Sequence, residues 1–170
     1  MSIENINNTD VKELLRASLE EIKNIENITT NFLGATSPAS PYMSRYAIIK
    51  ACSSIERSFK IIIADFLLLH TTNESLSNFI NNSIRHTSTN PKYETIVNVL
   101  KGIDKNLGDT FKIKVKEIED FERVKTSLNS LVNERNKLAH GGSPTSTSGD
   151  VIKYFKDAIF ILIALENVCS

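Results

Sequence analysis

The sequence predicts an all-α protein, a bundle of four long helices joined by loops and short connecting helices. Three observations predict it. Apolar residues recur at three- and four-residue intervals along most of the chain, which is the period of a helix with one buried face. Clusters of Asn, Asp, Pro and Gly interrupt that period at distances suited to helices of three to eight turns. A length of 170 residues is enough for one core without disulfide or metal staples, so a single domain over residues 1–170 is expected.

Taken in order, Val11, Leu15, Leu19, Ile22, Ile25, Ile28 and Phe32 define a first helix of about six turns, with Asn8, Thr9 and Asp10 all suited to cap it. "GATSPASP", Gly34 to Pro41, is a loop because two prolines and small polar residues break the pattern. A second helix is expected from about Ser44 to His70, apolar nearly all round in its C-terminal half and therefore the most buried. "TTNE", Thr71 to Glu74, matches a capping box and opens a short helix through Ile84. "NPKYE" offers Asn90 as a cap and Pro91 at the first helical position of another. Between residues 102 and 116, Phe111, Ile113 and Val115 alternate with lysines as in a strand, but no partner strand is evident and a loop is expected. A helix from about Asp120 then buries Val124, Leu128, Leu131, Val132 and Leu138 and stops at Gly141 and Gly142. After "GGSPTSTSGD", Asp150 is expected to cap a last helix through Val168.

Composition narrows the function. The 20 Lys and Arg balance 20 Asp and Glu, so no broad electropositive surface draws in nucleic acid and any such contact must be local. Cys52 and Cys169 fall on apolar faces with no His or Cys at metal spacing, and both read as reduced core residues. The six glycines form neither a phosphate loop nor a dinucleotide fingerprint. No cofactor and no metal is expected. The N-terminal residues lack a signal-peptide pattern and the apolar run Ile61 to Leu69 is too short to span a bilayer, so a cytoplasmic protein without membrane contact is expected.

One stretch carries chemistry. "NERNKLAHGG", Asn133 to Gly142, places Arg135 and His140 at the end of the penultimate long helix. A purely structural account makes them cations near a helix C-terminus with Gly141 as the left-handed cap. A chemical account makes them the two groups that can cut RNA without a metal. In a regular helix they stand about 140° apart, so convergence requires the last turn before the glycines to unwind. Asn133 and Glu134 read as surface residues, and His70 and His86 as exposed histidines ending helices.

"RNKLAHG", Arg135 to Gly141, resembles the R-x-x-x-x-H motif of the HEPN superfamily, with Asn136 as the polar residue after the arginine. "YAIIKACSSIERSFKIIIADF", Tyr46 to Phe66, is similar to the long second helix of short HEPN proteins, including its glutamate, here Glu56. The resemblance covers most of the chain and implies a HEPN-like bundle that pairs so that two motifs line one cleft. It implies an endoribonuclease of toxin–antitoxin or phage-defence type, with Arg135, His140 and Asn136 catalytic and Glu56 supporting them. RNA, a homodimer through the motif helix and an antitoxin or defence partner are the implied partners; the alternative within the family is a non-catalytic dimerisation or interaction module.

The chemistry suits these residue types. An imidazole can accept or donate a proton near neutral pH, and a guanidinium offers a planar, permanently charged fork to a phosphate. With the 2′-OH of RNA as nucleophile, the products are a 2′,3′-cyclic phosphate and a 5′-OH. Lys137, Lys112 and Lys114 are candidates to guide the RNA, against the plainer reading of solvated lysines. Glu56 is expected either to orient Arg135 or to pair with Arg57 or Lys60.

Overall fold

The computed structural model describes residues 2–34 and 36–170. Its helices are α1 (Thr9–Ile28), α2 (Ser40–Leu69), α3 (Glu74–Ile80), α4 (Tyr93–Ile103), α5 (Lys105–Lys116), α6 (Phe121–Ala139) and α7 (Ser148–Val168). A 3-10 turn at Ile3–Asn5 and π turns at Thr29–Leu33 and Asn81–Arg85 complete them, and no strand occurs among the described residues. The all-α class and the four long helices, α1, α2, α6 and α7, agree with the sequence.

The helices that are apolar nearly all round take the centre. α2 and α7 pack on each other, with α1 and α6 each packing on both. Phe59 and Ile63 of α2 and Phe155 and Leu162 of α7 are enclosed in this core. Long-range hydrogen bonds set the directions. Ser18 of α1 and Ser54 of α2 meet at 2.7 Å between their hydroxyls, and these two small buried residues let the helices approach closely. Glu166, near the end of α7, accepts from the backbone N–H groups of Asn7 and Asn8 at 2.8 and 2.7 Å, supplying acceptors at the start of α1. Ser127 of α6 donates to Asp157 of α7 at 2.6 Å. Each outer helix thus runs antiparallel to both central ones.

Several boundaries differ from expectation, each for a local reason. The start of α1 does agree: Asn8, one of the three expected caps, accepts from the Val11 N–H at 3.1 Å. α2 begins at Ser40, with Pro41 tolerated in its first turn, so the expected loop is shorter; its Ala35 lies outside the described residues. "TTNE" is not a capping box: Asn73 is the cap, accepting from the Leu76 N–H at 3.0 Å, while Thr71 accepts from Asn73. Asn90 does not cap α4 either. The helix starts at Tyr93, whose N–H is taken by Asn129 of α6 at 3.2 Å. Thr147, not Asp150, caps α7, and Asp150 closes the reciprocal bond of a capping box.

The largest correction concerns residues 102–116, expected as a loop. They complete α4 and form α5, joined by the single extended residue Asp104, which also caps α5 through the Asn106 N–H at 2.7 Å. The alternation of Phe111, Ile113 and Val115 was the wrong period. Phe111 and Val115 are fully buried while Ile113 is 67% exposed, and the buried stripe continues from Leu107 to Ile118 at helical spacing. Gly108 permits the tight α4–α5 crossing, since a Cβ there would lie 2.3 Å from Cγ of Lys101.

Candidate functional site

Helix α6 ends as its sequence dictates. His140 is the C-cap, Gly141 takes the left-handed conformation at φ 76°, and the N–H groups of Gly141 and Gly142 donate to Leu138 and Lys137 at 3.1 and 2.8 Å. This doubly bonded ending satisfies the last carbonyls. The His140 N–H still donates to Asn136 at 3.1 Å, so the helix remains regular up to the histidine. The unwinding that would bring Arg135 and His140 together within one chain does not occur, and the offset of about 140° stands.

Arg135 therefore faces α2 while His140 is exposed at the helix end. The guanidinium lies 3.5 Å from Glu56 and beside Cys52. Burial, the largest influence, pushes the Cys52 thiol up against the opposing pull of Arg135, so this enclosed thiol stays protonated and unreactive. Glu56 is anchored on three sides: it accepts from the Thr89 N–H at 2.8 Å and from Lys60 at 3.1 Å as well as from Arg135. Arg135 and Lys60 share Glu56, and among the described residues Arg57 forms no ion pair with it. Asn136 is half-buried and its side chain makes no hydrogen bond among the described residues, so it does not hold the histidine.

Glu134 corrects the expectation of a surface residue. It is 5% exposed and accepts from the backbone N–H groups of Thr145 and Ser146 at 2.6 and 3.1 Å, and from Lys137. Burial pushes its carboxyl up, but Lys137, Ser146 and Thr145 together hold it below the usual carboxylate range. Glu134 thus ties the segment after the motif back onto α6. The sequence held no signal for this, since the donors come from an irregular turn.

Of the candidate RNA-guiding lysines, Lys137 lies within the motif, whereas Lys112 and Lys114 lie on α5. Lys137 is engaged by Glu134. Lys114 pairs with Glu117 at 2.6 Å on α5. Lys112 stands beside Lys101, whose ammonium pushes the Lys112 group down. α5 packs mainly on α4 and α7, and no hydrogen bond or ion pair joins either lysine to Arg135 or His140. His70 and His86 are exposed C-caps, as expected.

The motif end of the bundle also contains an open groove of about 760 Å³ between the end of α1, the start of α2 and the residues 143–148. A second groove of about 820 Å³ is lined by Glu56 itself together with Arg57, Lys60 and His86. Among the described residues no group of three or more His, Cys, Asp or Glu is arranged to hold a metal ion, and no helix is long and apolar enough to cross a membrane.

Neither a curated protein nor a solved structure gives a significant match to the chain. A family model does, described as RiboL-PSP-HEPN and matching residues 6–170. With an all-helical architecture and Arg135–Asn136 and His140 at the end of its penultimate helix, the chain belongs to the HEPN superfamily.

Proposed function

We propose that this protein is a metal-independent endoribonuclease acting in the cytoplasm as the effector of a toxin–antitoxin or phage-defence system. The observation that carries the reading is the division of labour at the end of α6. His140 is exposed where a substrate can reach it, and Arg135 is held by Glu56, an anchored carboxylate on the neighbouring helix. His140 moves the proton of the 2′-OH or of the leaving 5′-oxygen, and Arg135 stabilises charge on the phosphate oxygens. Asn136, half-buried and without a side-chain hydrogen bond among the described residues, donates to the same phosphate in this reading. Because Arg135 and His140 diverge within one chain, two copies related by a two-fold axis through the motif helix supply the converging set.

The test uses purified protein and single-stranded RNA. Cleavage is expected to persist in EDTA and to disappear on RNA carrying 2′-O-methyl groups, which keep every phosphate but remove the attacking hydroxyl. His140→Ala is expected to lower the rate by at least about 10²-fold with little loss of stability, since a histidine at a helix end contributes at most about 0.3–1 kcal/mol. Cutting of the 2′-O-methyl substrate would overturn the mechanism.

A second reading, a non-catalytic interaction module, is favoured by one specific observation: Arg135 already has a carboxylate partner and packs on buried Cys52, as a structural arginine would. A folded, dimeric protein that cleaves no RNA, with or without a partner protein, would select it.

A further inference from the structure

The groove beside the motif has a chemistry that the motif does not use. Arg45 of α2 lines it and forms no ion pair among the described residues. Its Nε is buried without a hydrogen-bond partner among the described residues, and the hydrogen bond from its Nη2 to the Ser143 hydroxyl is long at 3.4 Å. The guanidinium lies over the Tyr42 ring, 5.4 Å from the centroid, and that ring is 68% exposed. Among the described residues one carboxylate lines the groove, Glu26; it accepts from Ser148 and Thr30, two other lining residues, and sits at the N-terminus of α7, where the helix dipole offsets its charge. The hydroxyls of Ser44, Thr145 and Ser146 also face the groove with no protein partner among the described residues. Ser143 is three residues from His140, so the chain limits their Cα separation to about 10–11 Å.

We propose that this groove binds the RNA strand next to the scissile bond, with Arg45 gripping a flanking phosphate and Tyr42, which lies beside Arg45 outside the groove lining, stacking on a base that leaves the groove. The inference rests on the ribonuclease reading and assigns the substrate-positioning residues that the motif lacks. A guanidinium without an ion-pair partner among the described residues, fixed on an aromatic face, is suited to the grip that a phosphate offers. Free hydroxyls complete the contacts to phosphate and sugar oxygens. An exposed tyrosine beside a cation is the recurrent platform for an unpaired base.

The experiment compares wild type, Arg45→Ala, Arg45→Lys and Tyr42→Ala, each checked for an unchanged melting temperature. Cleavage of a fluorescein-labelled single-stranded RNA is measured across salt concentrations, together with the binding of that RNA to the same substitutions in a His140→Ala background. Arg45→Ala is expected to raise KM and Kd roughly tenfold, with the change in KM exceeding that in kcat, and to lower the salt slope by about 0.7, one phosphate contact on a single strand. Arg45→Lys is expected to restore the slope but only part of the affinity, because the charge returns without the fork. Tyr42→Ala should weaken binding by roughly tenfold with the slope unchanged. If wild type cleaves RNA and Arg45→Ala leaves KM and the salt slope untouched, the groove assignment is overturned while the ribonuclease reading stands. If Arg45→Ala instead changes the oligomeric state, the groove is a contact between copies and the proposal falls. Wild type that neither binds nor cuts RNA removes the reading and the inference together.

Discussion

The carboxylate of Glu56 accepts from Thr89, Lys60 and Arg135, and replacing it separates positioning from packing. Glu56→Ala leaves the Thr89 N–H without its acceptor and is expected to cost about 1–3 kcal/mol. Glu56→Gln keeps an oxygen for Thr89 but removes the charge that holds Arg135, so it is expected to keep most of the stability and lose much of the cleavage rate. Full activity in Glu56→Gln would show that Arg135 does not need its partner. Glu134 permits a test by pH. Its folded-state carboxyl is held below the usual range by Lys137, Ser146 and Thr145 against the opposing effect of burial. A lowered folded value means stability that is present above the unfolded value, about 4.3, and lost as pH falls through the folded one. The gap in melting temperature between wild type and Glu134→Gln is therefore expected to be full at pH 7 and to narrow as pH falls from about 4.3, the unfolded value, through the lower folded one. A constant gap across that range would contradict the assignment.

At the scale of elements, the α4–α5 pair is the part whose packing depends on one small residue. A Cβ at Gly108 would meet Cγ of Lys101 at 2.3 Å and its backbone nitrogen at 3.1 Å. The side chain of Lys101 can swing aside, but the backbone cannot, so the helices must separate slightly. Gly108→Ala is expected to destabilise the fold by about 1–3 kcal/mol, as overpacking does, despite the better helix propensity of alanine. An unchanged denaturation midpoint would show that α4 and α5 do not approach this closely. The end of α6 is the opposite case, since its geometry follows from Gly141 and Gly142 and from backbone bonds within one turn.

For the whole molecule, the orientation of the motif makes pairing a requirement of the proposed chemistry. Arg135 points to α2 and His140 to solvent, while Tyr46 and Ile49 of α2 are about half exposed, at 49% and 48%. Because α2 runs antiparallel to α6, with Arg135 near Glu56 and Ser143 near Arg45, this apolar pair is level with the end of the motif helix. A second copy seated there would cover it and bring two motifs to one cleft. Light scattering at micromolar concentration is expected to give the mass of a dimer, and Ile49→Asp to shift it toward monomer with a parallel loss of cleavage. A monomeric and fully active wild type would remove the dimer from the mechanism.

Much of this protein was legible in its residues alone. The four long helices follow from apolar spacing, and the end of α6 follows from two glycines after His140. Both are local properties in which side-chain period and backbone freedom act within a few residues. The family resemblance rested on the same kind of signal, the motif at a helix end. Tertiary structure decided the rest. It made α5 a helix because a buried surface on α4 and α7 rewards the stripe of Phe111 and Val115 and leaves Ile113 outside. It buried Glu134 because donors from residues 145 and 146 fold back onto it. It placed Arg45 beside a hydroxyl-lined groove by bringing α1, α2 and the segment before α7 to one end of the bundle. These outcomes depend on which distant groups meet, and neither periodicity nor a motif encodes the partners of a buried charge.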